Sequence, residues 1–458
     1  MSKTIQIKKG FNINLVGKAS KTIIDNDLPE TFAIKPTDFV GFSKPKLLVK
    51  EGENVKAGTP LYYDKSLEKV LYTAPVSGEI AKIKRGEKRK LEEIIILADK
   101  SISYESFTKY SPSDILGLSR EEVIDNITKS GLWPSLIQRP YAVIADPTET
   151  PKSIHVSAFD TAPLAPDFSL IYKGQEEYFK TGIQILKKLT SGKVNINVNA
   201  DEELSSMFTN IQNAEVNKFK GPHPAACVGV QINKLEPISK GDLIWTSSAS
   251  AVIQIGKLFS EGIYDASKTI AVAGSELKKP QYYKTYTGAC VKKYLQDNLK
   301  QENIRVISGN VLTGTKIEKD GYIGYYDNMV SVIPEGNDHI FLGSFAPDKK
   351  RVSFHRALGL FSFLDGFVDK KPEYVLNTNI NGEHRNFVDT GSFEAVLPMD
   401  IYPTYLLKAI MAEDYENMEA LGILELAEED LALCEFIDPS KHEIQSILRQ
   451  GIELMRNS

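Results

Sequence analysis

Cysteine is scarce in this chain, which has three cysteines among 458 residues. Cys227, Cys290 and Cys434 lie far apart, and the sequence contains no CxxC pair. This spacing excludes a zinc site or an iron–sulfur cluster held by neighbouring cysteines, so we expect no metal and no Fe-S cluster on this chain. A disulfide framework is not expected either, because we predict a cytoplasmic and therefore reducing environment.

Long apolar runs are missing too. The run at residues 94–98 is among the longest, and it is far below the roughly 18 residues needed to span a bilayer. The opening residues MSKTIQIKKGFNINL alternate like a strand and lack the apolar core of a signal peptide. A net charge of −5 gives no reason to expect nucleic acid as a partner. We therefore expect no transmembrane segment and a cytoplasmic location.

Glycine-rich phosphate loops are also absent, since neither GxGxxG nor a Walker A sequence occurs. Dinucleotide sites need such a turn because backbone N–H groups must approach the phosphates closely. The first turn of the α/β region instead reads SGLWPSLIQRP over residues 130–140. A single glycine followed by Leu-Trp-Pro cannot wrap a phosphate, and Trp133 would fill the space of a flavin ring. The sequence predicts no bound nucleotide and no FMN.

The residues that are present predict several domains, because a chain of this length exceeds a single core. Ser119 and Glu122 form a capping-box pattern at the start of a helix. Predicted strands alternate with predicted helices, which indicates a Rossmann-like, doubly wound α/β domain over residues 101–281. The strands are predicted at 154–159, 193–199, 243–247 and 269–273, and the helices at 176–189 and 249–259.

Residues 49–86 consist of short alternating strands with glycines at the turns. They resemble the biotinyl/lipoyl "hammerhead" β barrel, which we place in an N-terminal region of residues 1–100. The modified lysine of such carriers sits at a hairpin tip, usually after Met or Asp. Here the tip contains Asp64-Lys65 without small flanking residues. Lys65 is therefore either a solvated lysine of a structural module or a carrier lysine.

Two further units complete the predicted multidomain α/β and α+β fold. A strand, a helix at 290–299, a strand at 304–308 and the NVLTGTK turn predict a β-grasp, SLBB-like domain over residues 282–350. Residues 351–458 predict an acidic C-terminal helical domain. Its last helix is expected to begin at a capping box formed by Ser440 and Glu443, followed by an apolar stripe.

Longer motifs resemble one family. The blocks DFVGFSKPKLLVKEGENVKAGTPLYYDK, GPHPAACVGVQINKLEPISKGDLIW and EEDLALCEFIDPSK are similar to the A subunits of sodium-translocating NADH:quinone oxidoreductases (Nqr). That family is related to the C subunit of the Rnf complex and to the flavin-bearing subunit of complex I. Those flavoprotein relatives carry a GLGGAGFP-like loop and cluster cysteines. This chain has SGLWPSLIQRP and LPMDIYP instead, as the A subunits of Nqr do.

The resemblance implies a peripheral subunit on the cytoplasmic face of the inner membrane, docked on membrane-embedded Nqr subunits. The complex passes electrons from NADH through flavins to quinone and exports Na⁺. NADH, FAD, FMN and Fe-S would lie on partner subunits, and the isolated chain would have no catalytic residue. Its expected role is assembly, with a contribution to quinone binding. Family members often carry His-x-His after the GPHP element. Gln231 and Asn233 stand there, so no metal is implied.

Five residues are candidate contacts for a quinone, whose ring needs an apolar slot with one or two hydrogen-bond partners. Phe39, Phe42 and Trp133 would flank the ring, while Arg139 or His223 would donate to a carbonyl. Each residue also has a structural interpretation. The aromatic side chains would fill the core, and His223 would bond backbone groups in a proline-braced loop.

Two other functions stay open from the residues alone. A free-standing flavoprotein dehydrogenase would show a flavin absorption band, and a biotin or lipoyl carrier would show a mass increment on Lys65. The basic run from Lys82 to Lys90 is either a solvated hairpin or a surface for an acidic partner or anionic headgroups. With the acidic stretch at 413–430 it gives the chain two oppositely charged surfaces suited to steering partners.

Overall fold

The computed structural model describes residues 4–25, 28–201, 206–208, 211–337, 354–355, 373–387 and 391–458. These residues form four β-sheets and a C-terminal group of helices, which agrees with the predicted multidomain α/β class. Parts of two predicted domains, at residues 338–353 and 356–372, lie outside the described residues.

The strands are short and follow one another along most of the chain. They are β1 Thr4–Gln6, β2 Ile23–Ile24, β3 Thr31–Ile34, β4 Pro45–Leu47, β5 Asn54–Val55, β6 Pro60–Asp64, β7 Leu71–Thr73, β8 Gly78–Arg85, β9 Leu91–Ala98, β10 Ile137–Arg139, β11 Val143–Ile144, β12 Ser153–Ser157, β13 Lys193–Asn199, β14 Glu215–Lys220, β15 Ile244–Ser248, β16 Ser267–Ala273, β17 Gln281–Tyr286, β18 Ile304–Ser308, β19 Thr315–Ile317 and β20 Met329–Pro334.

The helices concentrate in the α/β region and at the C-terminal end of the chain. They are α1 Pro112–Gly117, α2 Arg120–Ser130, α3 Phe168–Ile171, α4 Glu176–Leu189, α5 Val228–Leu235, α6 Ala249–Glu261, α7 Lys292–Leu295, α8 Ser392–Val396, α9 Pro403–Met411, α10 Tyr415–Ala420, α11 Glu428–Ile437 and α12 Ile444–Asn457. Within the described ranges, none of them has the length and apolarity needed to cross a membrane.

The seven-stranded sheet has the order β1-β14-β13-β12-β15-β10-β11. Strands β1, β14, β13, β12 and β15 run parallel, and β10 pairs antiparallel with β15. The chain passes from β12 to β13 and β14 on one side, then returns to β15 on the other side. The strand order therefore reverses between β12 and β15. In open α/β sheets, ligands bind at the carboxyl ends of the strands beside such a reversal.

The two faces of this sheet differ in chemistry. Side chains alternate between the faces, so Ile154 and Ile196 enter the apolar core beneath α4 and α6. Asn195, Asn197 and Gln231 belong to a buried polar network on the other face, beneath α5. Asn197 Nδ2 donates to Gln231 Oε1 at 2.9 Å. Side-chain hydrogen bonds satisfy most of this polar face, as burial requires, although the Nδ1 atom of His155 has no partner among the described residues.

Helices α4 and α6 approach each other closely through two glycines. A Cβ on Gly182 would lie 2.1 Å from the carbonyl oxygen of Val252. A Cβ on Gly256 would lie 1.8 Å from the carbonyl oxygen of Tyr178. Both distances are far inside van der Waals contact, so this helix pair depends on glycine at both positions.

The strand predicted at 269–273 forms as β16, but its predicted place in the doubly wound sheet is wrong. It lies in a six-stranded sheet of order β19-β18-β20-β16-β17-β2, where it pairs antiparallel with β17 and parallel with β20. The first two strands of the chain also belong to different sheets. Strand β1 extends the seven-stranded sheet, and β2 extends the six-stranded one. Sequence spacing does not show such pairings between distant segments.

Two predicted helix features also differ from the structure. The helix predicted at 290–299 is confined to Lys292–Leu295, since Asp297 has a φ of +58° and turns the chain. The capping box predicted at Ser440 is wrong, because α12 begins at Ile444 without a side-chain cap. Asp438 accepts the backbone N–H groups of Ser440 and His442 at 2.9 and 2.8 Å, which folds this segment into a turn. The capping box at Ser119 is confirmed.

The N-terminal barrel consists of a four-stranded sheet, β3-β9-β8-β5, and a three-stranded sheet, β4-β6-β7. Its hairpin tip follows β6. Asp64 is buried there and accepts the N–H groups of Ser43 at 2.7 Å and Ser66 at 2.8 Å, so it holds the turn together. Lys65 is exposed on that turn. The presence of Asp64 before Lys65 is thus explained by the turn that Asp64 stabilises.

Candidate functional site

A cavity of about 870 Å³ opens at the carboxyl edge of the seven-stranded sheet. Ser157, at the end of β12, and Ser247 and Ser248, at the end of β15, line it. His223 lines it from the loop that follows β14. The cavity therefore lies where the strand order reverses, which is the expected ligand position in this class of sheet.

An apolar wall closes one side of this cavity. Phe159 follows β12, and Phe168, Ile171 and Tyr172 come from α3 and the residue after it. The rings of Phe168 and Tyr172 stack with centroids 5.2 Å apart and planes 17° apart. The Tyr172 hydroxyl lies 3.2 Å from the Ser250 hydroxyl, so its polar end is satisfied. A wall of this kind suits a planar, largely apolar ring.

His223 has 6% of its surface exposed and is held from three sides. Its backbone N–H donates to Asn12 Oδ1 at 2.8 Å. Its ring Nδ1 lies 3.1 Å from the Thr161 hydroxyl oxygen. That same oxygen accepts the Ala226 N–H at 3.2 Å, so the hydroxyl hydrogen can point at Nδ1. If the Thr161 hydroxyl donates to Nδ1, the ring hydrogen lies on Nε2, because a neutral imidazole carries one N–H.

The Nε2 atom of His223 has no hydrogen-bond partner among the described residues. Burial lowers the pKa of His223 to about 4, so the ring is neutral at pH 7. A buried donor without a partner is uncommon in native structures and calls for an explanation. His223 thus lines the cavity and has one buried ring nitrogen, Nε2, without a partner among the described residues.

Arg139 lies on the opposite part of the cavity wall and joins β10 to α11. Its Nη2 donates to Glu429 Oε1 at 3.0 Å, and its Nη1 donates to Asp430 Oδ2 at 3.2 Å. Burial raises the pKa of Asp430. Burial, together with the neighbouring Asp430 carboxylate, raises the pKa of Glu429 to about 7. The guanidinium is thus held between two acidic side chains, both with raised pKa values.

The three predicted aromatic contacts pack in the core and do not line this cavity, although Phe39 lies behind its wall, with its ring 5.0 Å from that of the lining Tyr325. Phe39 packs its ring 4.6 Å from that of Tyr72. Phe42 also meets Tyr72, at 5.1 Å. Trp133 is fully buried, and its Nε1 donates to the Ala145 carbonyl at 2.7 Å. Of the five predicted residues, the structure brings Arg139 and His223 to one cavity and leaves the aromatic three elsewhere.

Sequence reasoning misses the aromatic residues that do line the cavity. Phe159, Phe168 and Tyr172 lie in the segment FDTAPLAPDFSLIY, which directly follows the predicted strand at 154–159. The carboxyl end of a central parallel strand is where ligand contacts collect. That position is the available signal, because the residue types alone resemble any loop with core aromatics.

The positions that replace the family's His-x-His have structural partners. Gln231 Nε2 donates to Ser157 Oγ at 3.1 Å, and Asn233 Nδ2 donates to Glu425 Oε2 at 2.8 Å. Across the part of the chain that the structure describes, no three His, Cys, Asp or Glu side chains group as metal ligands. Burial raises the pKa of the nearby Cys227 thiol well above its usual range, so this thiol stays protonated.

Comparison with protein families gives matches along most of the chain. The NqrA N-terminal barrel-sandwich hybrid domain matches residues 5–99, and the NqrA second alpha/beta domain matches residues 118–264. The NQRA C-terminal domain matches residues 269–319. The A subunit of the Na(+)-translocating NADH-quinone reductase of Neisseria meningitidis serogroup B is 38% identical over 98% of this chain and 98% of its own. This chain belongs to the NqrA family.

Other members of the NqrA family show the same level of similarity. Those of Photorhabdus laumondii and Yersinia pestis are 38% identical over 97% of this chain and 98% of their own. The family predicted from the sequence is confirmed, and with it the function as one subunit of such a reductase. A solved NAD+-reducing [NiFe]-hydrogenase aligns with 51% of this chain and 52% of its own at 11% identity and a TM-score of 0.33, which supports no conclusion.

Proposed function

We propose that this chain is an assembly subunit that binds the head group of a quinone in the cavity beside His223. It docks on membrane-embedded subunits at the cytoplasmic face of the membrane. NADH, FAD, FMN and the Fe-S cluster belong to partner subunits. The core position of Trp133, in the loop where flavoprotein relatives carry glycines, supports a chain without flavin. A stoichiometric flavin absorption band in the purified chain would contradict that part.

The unpartnered Nε2 of His223, a residue that lines the cavity, is the observation that supports quinone binding most strongly, with the ring hydrogen placed on Nε2 in this proposal. A quinone carbonyl is an uncharged acceptor, and a neutral imidazole N–H is a matching donor. The stacked rings of Phe168 and Tyr172 provide an apolar surface in the same cavity. One placed polar group in an apolar slot is the usual form of a small-molecule site.

The sequence indicates Arg139 as a possible donor to a quinone carbonyl, and this proposal gives it a structural role instead. Its Nε is a buried donor without a partner among the described residues, but its other two nitrogens already bond two acidic side chains, Glu429 and Asp430. His223 is then the better donor to the carbonyl. Arg139 fixes the α11 end of the cavity wall, because it ties this helix to β10.

The proposal is tested by titrating the purified chain with a short-chain quinone in a calorimeter. We expect saturable binding at one site. His223→Phe keeps a planar ring but removes the N–H, and we expect about fivefold weaker binding, the usual worth of one neutral hydrogen bond. Phe168→Ala removes half of the aromatic stack and should weaken binding about tenfold.

Phe42→Leu is the matched control, since Phe42 is an aromatic residue that lies outside this cavity. We expect its quinone affinity to equal that of the wild type. If Phe42→Leu weakens binding while His223→Phe does not, the site predicted from the sequence is the better one. If the wild type shows no saturable binding, the quinone site belongs to another subunit of the complex. This chain then serves assembly alone.

A further inference from the structure

Four large apolar or aromatic side chains stand exposed along α9 and at the start of α10. Tyr402, Tyr405, Met411 and Tyr415 are exposed by 59, 56, 62 and 39%. We call these four residues the tyrosine face. Single exposed apolar residues are ordinary, but four of them between residues 402 and 415, two with their rings in contact, indicate an interaction surface.

The tyrosine face is a consequence of how α9 is buried. Leu406, Leu407 and Ile410 enter the core of the C-terminal helices, with at most 3% of each exposed. Tyr402, the residue just before α9, and Tyr405 are three residues apart, so their exposed side chains are neighbours on the surface. Their rings meet edge to face with centroids 6.3 Å apart. The helix is thus apolar on both sides, although only one side is covered by this chain.

Acidic residues surround the tyrosine face. Asp400, Glu413 and Glu416 are exposed, and none of the three has an ion pair among the described residues. Asp414 is also acidic, and its carboxylate accepts hydrogen bonds from Asn417 rather than from a cation. Lys408 is the one basic residue of the same helix. The rim therefore carries net negative charge around an aromatic centre.

We propose that the tyrosine face is a docking surface for a basic segment of another subunit of the reductase. Tyr, Trp and Met are enriched in the centres of protein interfaces, where they bury a large area at little entropic cost. The acidic rim favours Lys or Arg side chains on the partner and steers their approach. An anionic lipid surface would be repelled by the same rim. The inference rests on the family membership of this chain and is independent of quinone binding.

The test uses the chain with its reductase. The remaining subunits are purified without this chain, the tagged chain is added back, and the amount recovered together is measured as a function of concentration. Tyr402→Ser combined with Tyr405→Ser should weaken this association at least tenfold, because truncated interface tyrosines are typical hot spots. The matched control is Leu116→Ser combined with Val375→Ser. These residues are comparably exposed but lie elsewhere, and the variant should associate like the wild type.

Charge changes on this surface should act in two directions: loss of acidic residues should weaken association, and loss of the basic residue Lys408 should strengthen it. Glu413→Lys combined with Glu416→Lys should weaken association, most strongly at low salt. Lys408→Glu should strengthen it. Quinone titration and thermal unfolding of each variant check that the isolated chain stays folded, so a failure here is separate from a failure at the cavity.

Three outcomes would overturn the proposal. In the first, the double tyrosine variant associates with the other subunits as tightly as the wild type. In the second, the isolated chain forms dimers that this variant abolishes, so a second copy covers the face. In the third, the wild-type chain binds vesicles of equal parts phosphatidylglycerol and phosphatidylethanolamine, and the variant does not.

Discussion

At the scale of single residues, His223 shows how a loop residue becomes a hydrogen-bond donor of fixed direction. Burial keeps its ring neutral, and the Thr161 hydroxyl bonds Nδ1 and so fixes the direction of the ring. The sequence can identify the GPHP loop, since two prolines around a histidine indicate a rigid turn. It cannot supply Thr161, which is 62 residues away and is recognisable only in space.

The depressed pKa of His223 predicts a pH dependence of stability. Between pH 4 and 6.5 the unfolded state binds more protons at this position than the folded state, so the free energy of unfolding falls as the pH is lowered. The loss contributed by this residue reaches about 3 kcal/mol near pH 4. We expect His223→Gln to flatten the fall between pH 6.5 and 4 in chemical unfolding experiments. His384→Gln, at an exposed position, is the control and should leave the curve unchanged. An identical slope in the His223 variant would show that another group causes the dependence.

At the scale of elements, the sequence predicts what is encoded locally. The helix at 176–189 and the strands at 193–199 and 304–308 appear with the predicted bounds, because apolar periodicity and a nearby glycine define them. The sheet assignment of β16 fails, since strand pairing depends on segments far apart in the chain. The cavity cannot be predicted from the sequence for the same reason, because its walls come from widely separated segments.

The contact between α4 and α6 predicts an unusual response to alanine. Alanine normally favours a helix over glycine by about 1 kcal/mol. At Gly256, however, the added Cβ would meet the Tyr178 carbonyl oxygen, and we expect Gly256→Ala to lower the free energy of unfolding by about 2–3 kcal/mol. A Cβ on Gly117 in α1 would have no atom within 4 Å, so Gly117→Ala should be neutral or stabilising. Urea unfolding of both variants measures this contrast, and equal effects would contradict the close approach of the two helices.

At the scale of the whole molecule, charge is separated between two distinct surfaces. The hairpin of β8 and β9 ends in an exposed basic turn, in which Lys88 and Arg89 adopt φ values of +53° and +61°. No ion pair joins Lys88, Arg89 or Lys90 to an acid among the described residues. Glu413 and Glu416 provide the opposite charge on the C-terminal helices. Such separation orients a protein as it approaches its partners.

Reversing the basic turn tests whether it takes part in assembly. We expect Lys88→Glu, Arg89→Glu and Lys90→Glu together to weaken association with the other subunits of the reductase, with the largest effect at low ionic strength. The readout is co-purification of the complex at two salt concentrations. Full recovery of the complex at low salt would mean that the turn is a solvated hairpin.

The placement of β1 and β2 has a consequence for biosynthesis. Strand β1 pairs with residues 218–220, and β2 pairs with residues 282–283, so both are translated long before their partners. Domains commonly fold in order as they leave the ribosome. Here the earliest segments must wait uncovered until two later domains have emerged, and they then close the edges of both sheets. The first part of the nascent chain therefore pairs late, and it then links two sheets whose other strands are translated after it.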